Sequence, residues 1–181
     1  MKLIKILFLF IVFSMPNSIV SQKFTPIDNE SKINFTIKNF GLNVDGSFSG
    51  VKGNIVFEQT NIEKTQVNLS VNTNSVNTNN KDRDKHLKKA DYFDAEKFPV
   101  ISFASTSIKK KIGINKYSIK GNLTIKGITK VVEFDAIISS KESKLNTKGS
   151  LQLNRRTFTI GDRSLVLSDN VKLDFFIVAK Q

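Results

Sequence analysis

The sequence contains no cysteine and no tryptophan, and it has a single histidine and three prolines among 181 residues. Without cysteine there is neither a disulfide framework nor a lipoprotein attachment site, so the fold must depend on a packed core. The few prolines, the spread of glycine and the lack of a Pro/Ser-rich linker or repeat indicate one domain. With one histidine, any metal site would have to rely on carboxylates for its other ligands.

Long apolar runs are also missing. Residues 1–22, MKLIKILFLFIVFSMPNSIVSQ, hold two lysines, a short apolar stretch at residues 6–13 and then Pro16 with small polar residues. This stretch is far shorter than the ~20 residues that cross a bilayer, so the order of features predicts a cleaved secretory signal peptide at residues 1–21. Cleavage between Ser21 and Gln22 would leave a domain of residues 22–181 with a periplasmic or secreted location.

Acidic residues are fewer than basic residues. Residues 22–181 hold 26 basic and 16 acidic residues, which gives a net charge of +10. The lysines are spread over polar strand positions such as Lys120, Lys126, Lys130 and Lys148, and residues 109–111 form a run of three. This distribution favours a solvated outer face attracted to an anionic membrane surface, and it disfavours nucleic-acid binding. An alternative function is that of a secreted basic interaction protein with a filled core.

The sequence is rich in segments in which apolar and polar residues alternate. The alternating segments are SKINFTIKN with Ile33, Phe35 and Ile37; TQVNLSVN with Val67, Leu69 and Val71; VISFASTSI with Ile101 and Phe103; and residues 116–138 with Tyr117, Ile119, Leu123, Ile125, Val132, Phe134 and Ala136. A period of two is typical of half-buried strands. Gly46, Gly50 and Gly53 indicate bends, bulges or close backbone approach. The pattern predicts an all-β fold of about eight strands, an antiparallel meander closed into a barrel.

An eight-stranded barrel is either filled by its own side chains or holds one small ligand, and periodicity does not choose between them. A strand of about ten residues is roughly 33 Å long, or about 25 Å along the axis of a tilted barrel. That length suits an extended hydrocarbon chain, and each methylene removed from water contributes up to ~0.8 kcal/mol.

A polar, helix-prone insert at residues 75–99, SVNTNNKDRDKHLKKADYFDAEKFP, interrupts the strands. It is longer than a hairpin needs, so we expect it to cap, close or bind something. Its histidine, His86, has Asp82, Asp84 and Asp91 nearby in sequence, but their spacing is not that of a dense metal site. No serine lies in a G-x-S-x-G motif, as a Ser-His-Asp triad would favour. The catalytic alternative that is left is general acid/base catalysis by His86 with Asp84. We favour a structural role, in which Arg83, Asp84 and His86 hydrogen-bond the insert to strand ends.

An ordered series of matches resembles the YceI family of lipocalin-like periplasmic proteins. The matching residues are Phe35, Ile37, Gly41, Val44, Gly46, Phe48 and Gly53; Ser75, Thr78, Arg83, Asp84, His86 and Leu87 of an S-x-x-T-x-x-x-x-R-D-x-H-L signature; Asp91, Phe93, Asp94, Pro99, Ile101 and Phe103; Gly121, Leu123, Thr124, Ile125, Gly127, Ile128, Thr129 and Lys130 of a G-x-L-T-I-x-G-x-T-K hairpin; and Asn154, Arg155, Phe158, Ser168, Asp169 and Val171. The sequence departs from the family pattern at Asn39, often His, and at Thr157 and Thr159, usually Asp and Gly.

The resemblance implies a lipocalin-like antiparallel barrel that binds a polyisoprenoid lipid, such as an isoprenoid quinone or prenyl phosphate, and that is not an enzyme. Together with the spacing of His86 and the carboxylates, it predicts no metal and no cofactor other than the bound lipid. Combined with the alternation, it predicts a tunnel lined by Phe35, Ile37, Phe48, Val71, Phe103, Leu123, Ile125 and Phe134, with Arg83, Asp84, His86 and Leu87 at the mouth. We expect a monomer or a weak dimer. An accessory role in a membrane quinone or redox system is a further alternative.

Overall fold

The computed structural model describes residues 22–181, and the predicted signal peptide at residues 1–21 lies outside them. The described chain forms one antiparallel sheet of ten strands and one short α-helix. The elements are β1 (Gln22–Pro26), β2 (Lys32–Asn39), β3 (Leu42–Phe48), β4 (Lys52–Phe57), β5 (Gln66–Asn72), α1 (Lys81–Leu87), β6 (Val100–Lys110), β7 (Lys116–Ile125), β8 (Ile128–Lys141), β9 (Lys144–Asn154) and β10 (Leu167–Lys180). Within these residues, no helix is long and apolar enough to span a membrane.

The ten strands follow eight paths around a closed barrel. β1 and β2 are successive parts of one path, since both pair with β10, and β3 and β4 form the next path, since they pair with β2 and β1. Each later strand pairs with its neighbour in chain order, and β10 pairs with β9 on its other side. The predicted eight-stranded antiparallel barrel with one short helical insert is therefore confirmed.

The two interrupted paths break at the same height. A 3₁₀ turn at Asp28–Glu30 separates β1 from β2, and Gly50 with φ +75° lies between β3 and β4. The backbone N–H of Val51 donates to Asp28 Oδ1 at 2.6 Å, so one hydrogen bond joins the two breaks. Gly50 thus marks a bend, and Gly53 lies within β4 where a Cβ would collide with the Asn68 carbonyl oxygen, so the two positions show the bend and the close backbone approach that the sequence predicts.

Gly46 has a different role. It lies directly opposite Phe35 on β2, and a Cβ added to it would collide with the Phe35 ring. Gly149 and Phe175 repeat this arrangement between β9 and β10. An aromatic ring that lies over a glycine on the neighbouring strand fills the gap left by the missing side chain. These glycines therefore make room for two rings of the barrel interior.

The two ends of the barrel differ in packing. One end holds the start of β1 and the end of β10, and its interior is filled by fully buried side chains, including Phe24, Ile108 and Leu145. The other end holds the β2–β3 turn, the insert at residues 75–99 and the connection between β9 and β10. We call these the plugged end and the open end.

A pair of leucines on β9 tests this difference. Leu145 is fully buried in the plugged end, so Leu145→Ala should lower the free energy of unfolding by about 2–5 kcal/mol through loss of contacts and a residual cavity. Leu151 lines the hollow part of the barrel described below, and Leu151→Ala should cost less, about 1–2 kcal/mol. Urea denaturation measures both values. Equal losses of unfolding free energy in the two variants would mean that the barrel interior is packed equally well around Leu145 and Leu151.

Candidate functional site

The barrel encloses an apolar cavity of about 790 Å³. It is lined by the inward-facing residues of the strands, because alternate side chains of a strand point to the same face. All eight residues of the predicted tunnel lie on its wall, namely Phe35, Ile37, Phe48, Val71, Phe103, Leu123, Ile125 and Phe134. The structure thus brings the predicted lining together around one hollow space, while contact of these residues with a lipid stays a prediction.

Polarity changes along the cavity. Its deep end, next to the plugged end, is lined by buried aliphatic residues such as Ile55, Ile119 and Ile177. Its mouth, at the open end, is lined by charged and exposed residues, which are Asp82, Arg83, Asp162 and Arg163 together with His86. A molecule that fits this gradient has an apolar tail and a polar head.

Aromatic rings stiffen the cavity wall. Phe103, Phe134 and Phe175 form a series across the barrel with ring centroids 5.5 and 5.4 Å apart. On the other side, Phe48 contacts Phe35 and is met edge-on by Phe93 of the insert at 5.4 Å. Tilted and edge-on contacts at these distances are favourable. The rings therefore hold one another in place around the hollow centre.

The insert is fixed by bonds around Thr78, which is buried. Asp84 Oδ1 accepts hydrogen bonds from the Thr78 N–H at 2.8 Å and the Thr78 hydroxyl at 2.6 Å. Arg83 donates from Nε to Thr78 Oγ1 and from Nη2 to the Thr78 carbonyl, both at 2.8 Å. Asn80 caps α1 by accepting from the Arg83 N–H. Arg83 and Asp84 thus have a structural role, but the predicted bonds to strand ends are not what the structure shows: the bonds lie within the insert and fix its own turn.

His86 does not take part in these hydrogen bonds. Its ring lies edge-on to Tyr92, with the centroids 4.9 Å apart. Arg83, His86 and Leu87 line the cavity mouth, whereas Asp84 faces Thr78 and is not part of the wall. Among residues 22–181, no three His, Asp or Glu side chains are grouped to hold a metal ion.

The β9–β10 connection forms the other half of the mouth. The sequence predicted no such role for it, although Arg155 and Asp169 match the family pattern. Arg155 is 3% exposed and its guanidinium holds the connection together. Nη1 donates to the Ile160 carbonyl at 2.7 Å, Nε donates to the Ser168 carbonyl at 3.0 Å, and Nη2 donates to the Asp162 carbonyl and to Asp169 Oδ1, both at 2.9 Å. Nη2 also donates to the Leu167 carbonyl at 3.4 Å. One side chain therefore fixes four backbone carbonyls and one carboxylate.

Apolar residues of the same connection cover the cavity from above. Phe158 and Ile160 are buried against Leu123 and Ile125 of β7. Thr159 between them has φ +52°, a left-handed conformation that glycine adopts without strain. The alternation in Phe158-Thr159-Ile160 was the available signal, but three residues after an apparent strand end are too few to predict a cover.

A closed antiparallel barrel with a hollow apolar interior open at one end is the architecture of single-ligand barrels. The family model described as "YceI-like domain" matches residues 24–179, and the chain belongs to this family. This confirms the resemblance found in the sequence.

Relatives and solved structures agree with this assignment. Protein YceI of Salmonella arizonae is 40% identical over 114 residues, an alignment that covers 61% of this chain and 59% of that protein. The chain therefore spans about three fifths of the length of the curated relatives it matches. The crystal structure of BcnA from Burkholderia cenocepacia has a TM-score of 0.79 at 24% identity, and covers 84% of this chain and 98% of that one.

A third similar structure has a descriptive name. A polyisoprenoid binding domain from Saccharophagus degradans, implicated in plant cell wall breakdown, has a TM-score of 0.71 at 15% identity. The match covers 87% of this chain and 97% of that one. At these identities, BcnA and this domain show a shared fold.

Neighbouring arginines test the role of Arg155. Arg155→Lys should lower the free energy of unfolding by about 2 kcal/mol or more, because an ammonium group cannot reach all five acceptors and leaves buried carbonyls unpaired. Arg156 is half-buried and donates to Gly161, so Arg156→Lys should cost less than about 1 kcal/mol. Thermal denaturation, with hydrogen exchange of residues 155–166, measures both. Equal stability of the two variants would contradict the assigned role.

Proposed function

We propose that this protein is an exported lipid-binding protein that holds a polyisoprenoid, of the isoprenoid quinone or prenyl phosphate type, in the barrel cavity. The observation that carries the proposal is the apolar cavity of about 790 Å³ with a polar mouth at one end. Transport, storage or a stress response in the periplasm or outside the cell is the role we assign to such binding. Binding without catalysis, and without a cofactor other than the lipid, completes the proposal.

Physical chemistry supports a prenyl tail as the cargo. The wall presents aliphatic side chains and Phe rings along the barrel axis, and a tail in this space would exchange water for apolar contacts. Each methylene removed from water contributes up to ~0.8 kcal/mol, so each five-carbon unit contributes a few kcal/mol before ordering costs are subtracted. Because these contacts are non-directional, the cavity selects for a long apolar chain more than for a particular head group.

The family relationship supports the same cargo. The domain from Saccharophagus degradans, which shares the fold, is named a polyisoprenoid binding domain. The shared fold gives a barrel of the same kind, and the apolar wall in this chain gives the matching chemistry. We therefore carry the class of ligand over to this protein as part of the proposal.

Charged residues at the mouth define where a head group would lie. Arg83 and Arg163 line it together with Asp82 and Asp162. Two of the three guanidinium nitrogens of Arg83 donate to Thr78, so Arg83 is already oriented before a ligand binds. A prenyl phosphate would be held by the arginines through charge, and a quinone carbonyl would accept a hydrogen bond from the same groups.

The cavity also helps to decide between the two alternative functions that the sequence left open. A secreted interaction protein with a filled core does not fit a barrel with a hollow centre. An accessory role in a membrane quinone or redox system stays a prediction, and identification of the bound lipid as a quinone would favour it.

Steric blockade tests the proposed site. Ile125→Trp and Val71→Trp place a large ring in the cavity, and each should remove bound isoprenoid at a cost in stability of about 1–3 kcal/mol from overpacking. Val131→Trp is the matched control, because Val131 is an exposed residue of the same hairpin as Ile125. Mass spectrometry of organic extracts and thermal denaturation give the two readouts.

The control should keep its lipid and its stability. If both cavity variants fold and carry as much isoprenoid as the Val131→Trp variant, the lipid is not held in the cavity and the proposed function is wrong.

A further inference from the structure

A group of exposed apolar side chains lies beside the cavity mouth. Phe40 in the β2–β3 turn and Leu42 at the start of β3 are 74% and 73% exposed, and Leu165 and Val166 in the β9–β10 connection are also exposed. We call these four residues the apolar rim. The Phe40 N–H donates to the Val166 carbonyl at 2.9 Å, so the two segments of the rim are adjacent. Singly exposed apolar residues are ordinary, but a group beside an opening marks a contact surface.

Phe40 occupies a strained position. Phe40 and Gly41 have φ values of +51° and +78°, so both central residues of this two-residue turn are left-handed. Turns of this kind favour Asn, Asp or Gly, and a bulky residue with positive φ is uncommon. The Phe40 side chain is largely exposed, so packing inside the protein does not offset this strain. A residue kept in such a conformation without internal packing is a candidate for contact with a partner.

The rim continues the cavity wall. Val44 and Phe48 of β3 line the cavity, and Leu42 is the next residue in the same alternating series. Val166, on the other side of the turn, is both a rim residue and part of the wall. An apolar path therefore leads from the outside of the open end into the barrel. An isoprenoid tail on this path would avoid transfer through water.

Charges near the rim are mainly basic. Lys38 precedes the turn, Arg163 precedes Leu165, and Arg83 and Lys85 lie on α1 at the same end. Asp82 and Asp162 are the acidic residues of the mouth. The net charge of residues 22–181 is +10, and basic residues near a membrane are attracted to anionic lipids. Exposed apolar side chains flanked by basic residues match an anionic bilayer, which offers acyl chains beneath negatively charged phosphates.

We propose that the apolar rim docks on the surface of an anionic phospholipid bilayer, with the cavity mouth facing the membrane. Phe40, Leu42 and Leu165 insert among the acyl chains, and the basic residues contact the phosphate groups. The docked state lines up the apolar path with the bilayer interior. Lipid transfer in this orientation rests on the proposed function, whereas docking itself does not need a loaded cavity.

The β6–β7 turn provides a matched control. Ile112 is fully exposed and Ile114 is 88% exposed, and residues 109–111 supply three lysines beside them. This turn lies at the plugged end, because β6 begins next to the insert and runs away from the open end. A protein docked there would point its mouth away from the membrane. The two ends thus offer similar chemistry but opposite orientations.

The experiment compares the double variants Phe40→Asn/Leu165→Ser and Ile112→Ser/Ile114→Ser with the wild type. Flotation with vesicles of phosphatidylethanolamine and phosphatidylglycerol, and with phosphatidylcholine vesicles, measures binding. The rim variant should bind the anionic vesicles about tenfold more weakly, and the turn variant should bind like the wild type. Binding should fall as salt is raised, because salt screens the charges. Phe40→Asn alone should keep or raise the melting temperature, since Asn suits the turn.

Three results would overturn the proposal. The first is loss of binding in the turn variant but not in the rim variant, and the second is binding without preference for anionic vesicles. The third is a rim variant that changes from dimer to monomer in size-exclusion chromatography while it floats like the wild type. The last would show that the rim is a surface for a second copy. Lipid extraction separates the two proposals: wild type that docks through the rim but contains no isoprenoid supports docking and contradicts the proposed function.

Discussion

Closure of the barrel through β10 is the constraint on which the rest of the structure depends. β10 pairs with β9 on one side and with β1 and β2 on the other, so the sheet has no free edge between its first and last paths. Once eight paths are closed, every inward side chain faces the same interior. At the plugged end, buried side chains such as Phe24 and Leu145 occupy that interior, and toward the open end the same alternation surrounds the cavity. Fold and site are therefore two consequences of one closed sheet.

The two long connections at the open end convert this hollow into a site with a polar mouth. An arginine holds each connection by donating hydrogen bonds: Arg83 donates to Thr78 within the insert, and Arg155 donates to backbone carbonyls of the β9–β10 connection. These bonds do not need a ligand, so the mouth is preorganised. The insert also contributes Phe93 to the aromatic contacts of the wall, which joins the mouth to the barrel interior.

Period-two alternation predicted the barrel and its inward face, and the family resemblance was needed to predict that this face lines a tunnel. Phe35, Val71 and Phe134 could be placed on one face because a strand fixes the direction of every second side chain. Alternation could not show that β1 and β2 form one interrupted path, since this depends on pairing with β10, which is distant in sequence. It also could not predict the role of Arg155, which matched the family pattern, because most acceptors of its guanidinium are backbone carbonyls, which leave no sequence pattern. The insert was predicted by composition, but its bonding to Thr78 depends on the turn that the chain makes there.

The central claim is that the cavity holds an isoprenoid lipid. Native mass spectrometry of protein purified from its own host without detergent tests it most directly. The account predicts a population heavier than the polypeptide by the mass of one lipid, which organic extraction releases and fragmentation identifies by repeating five-carbon units. Protein that has only the polypeptide mass, with no isoprenoid in the extract, would contradict the claim.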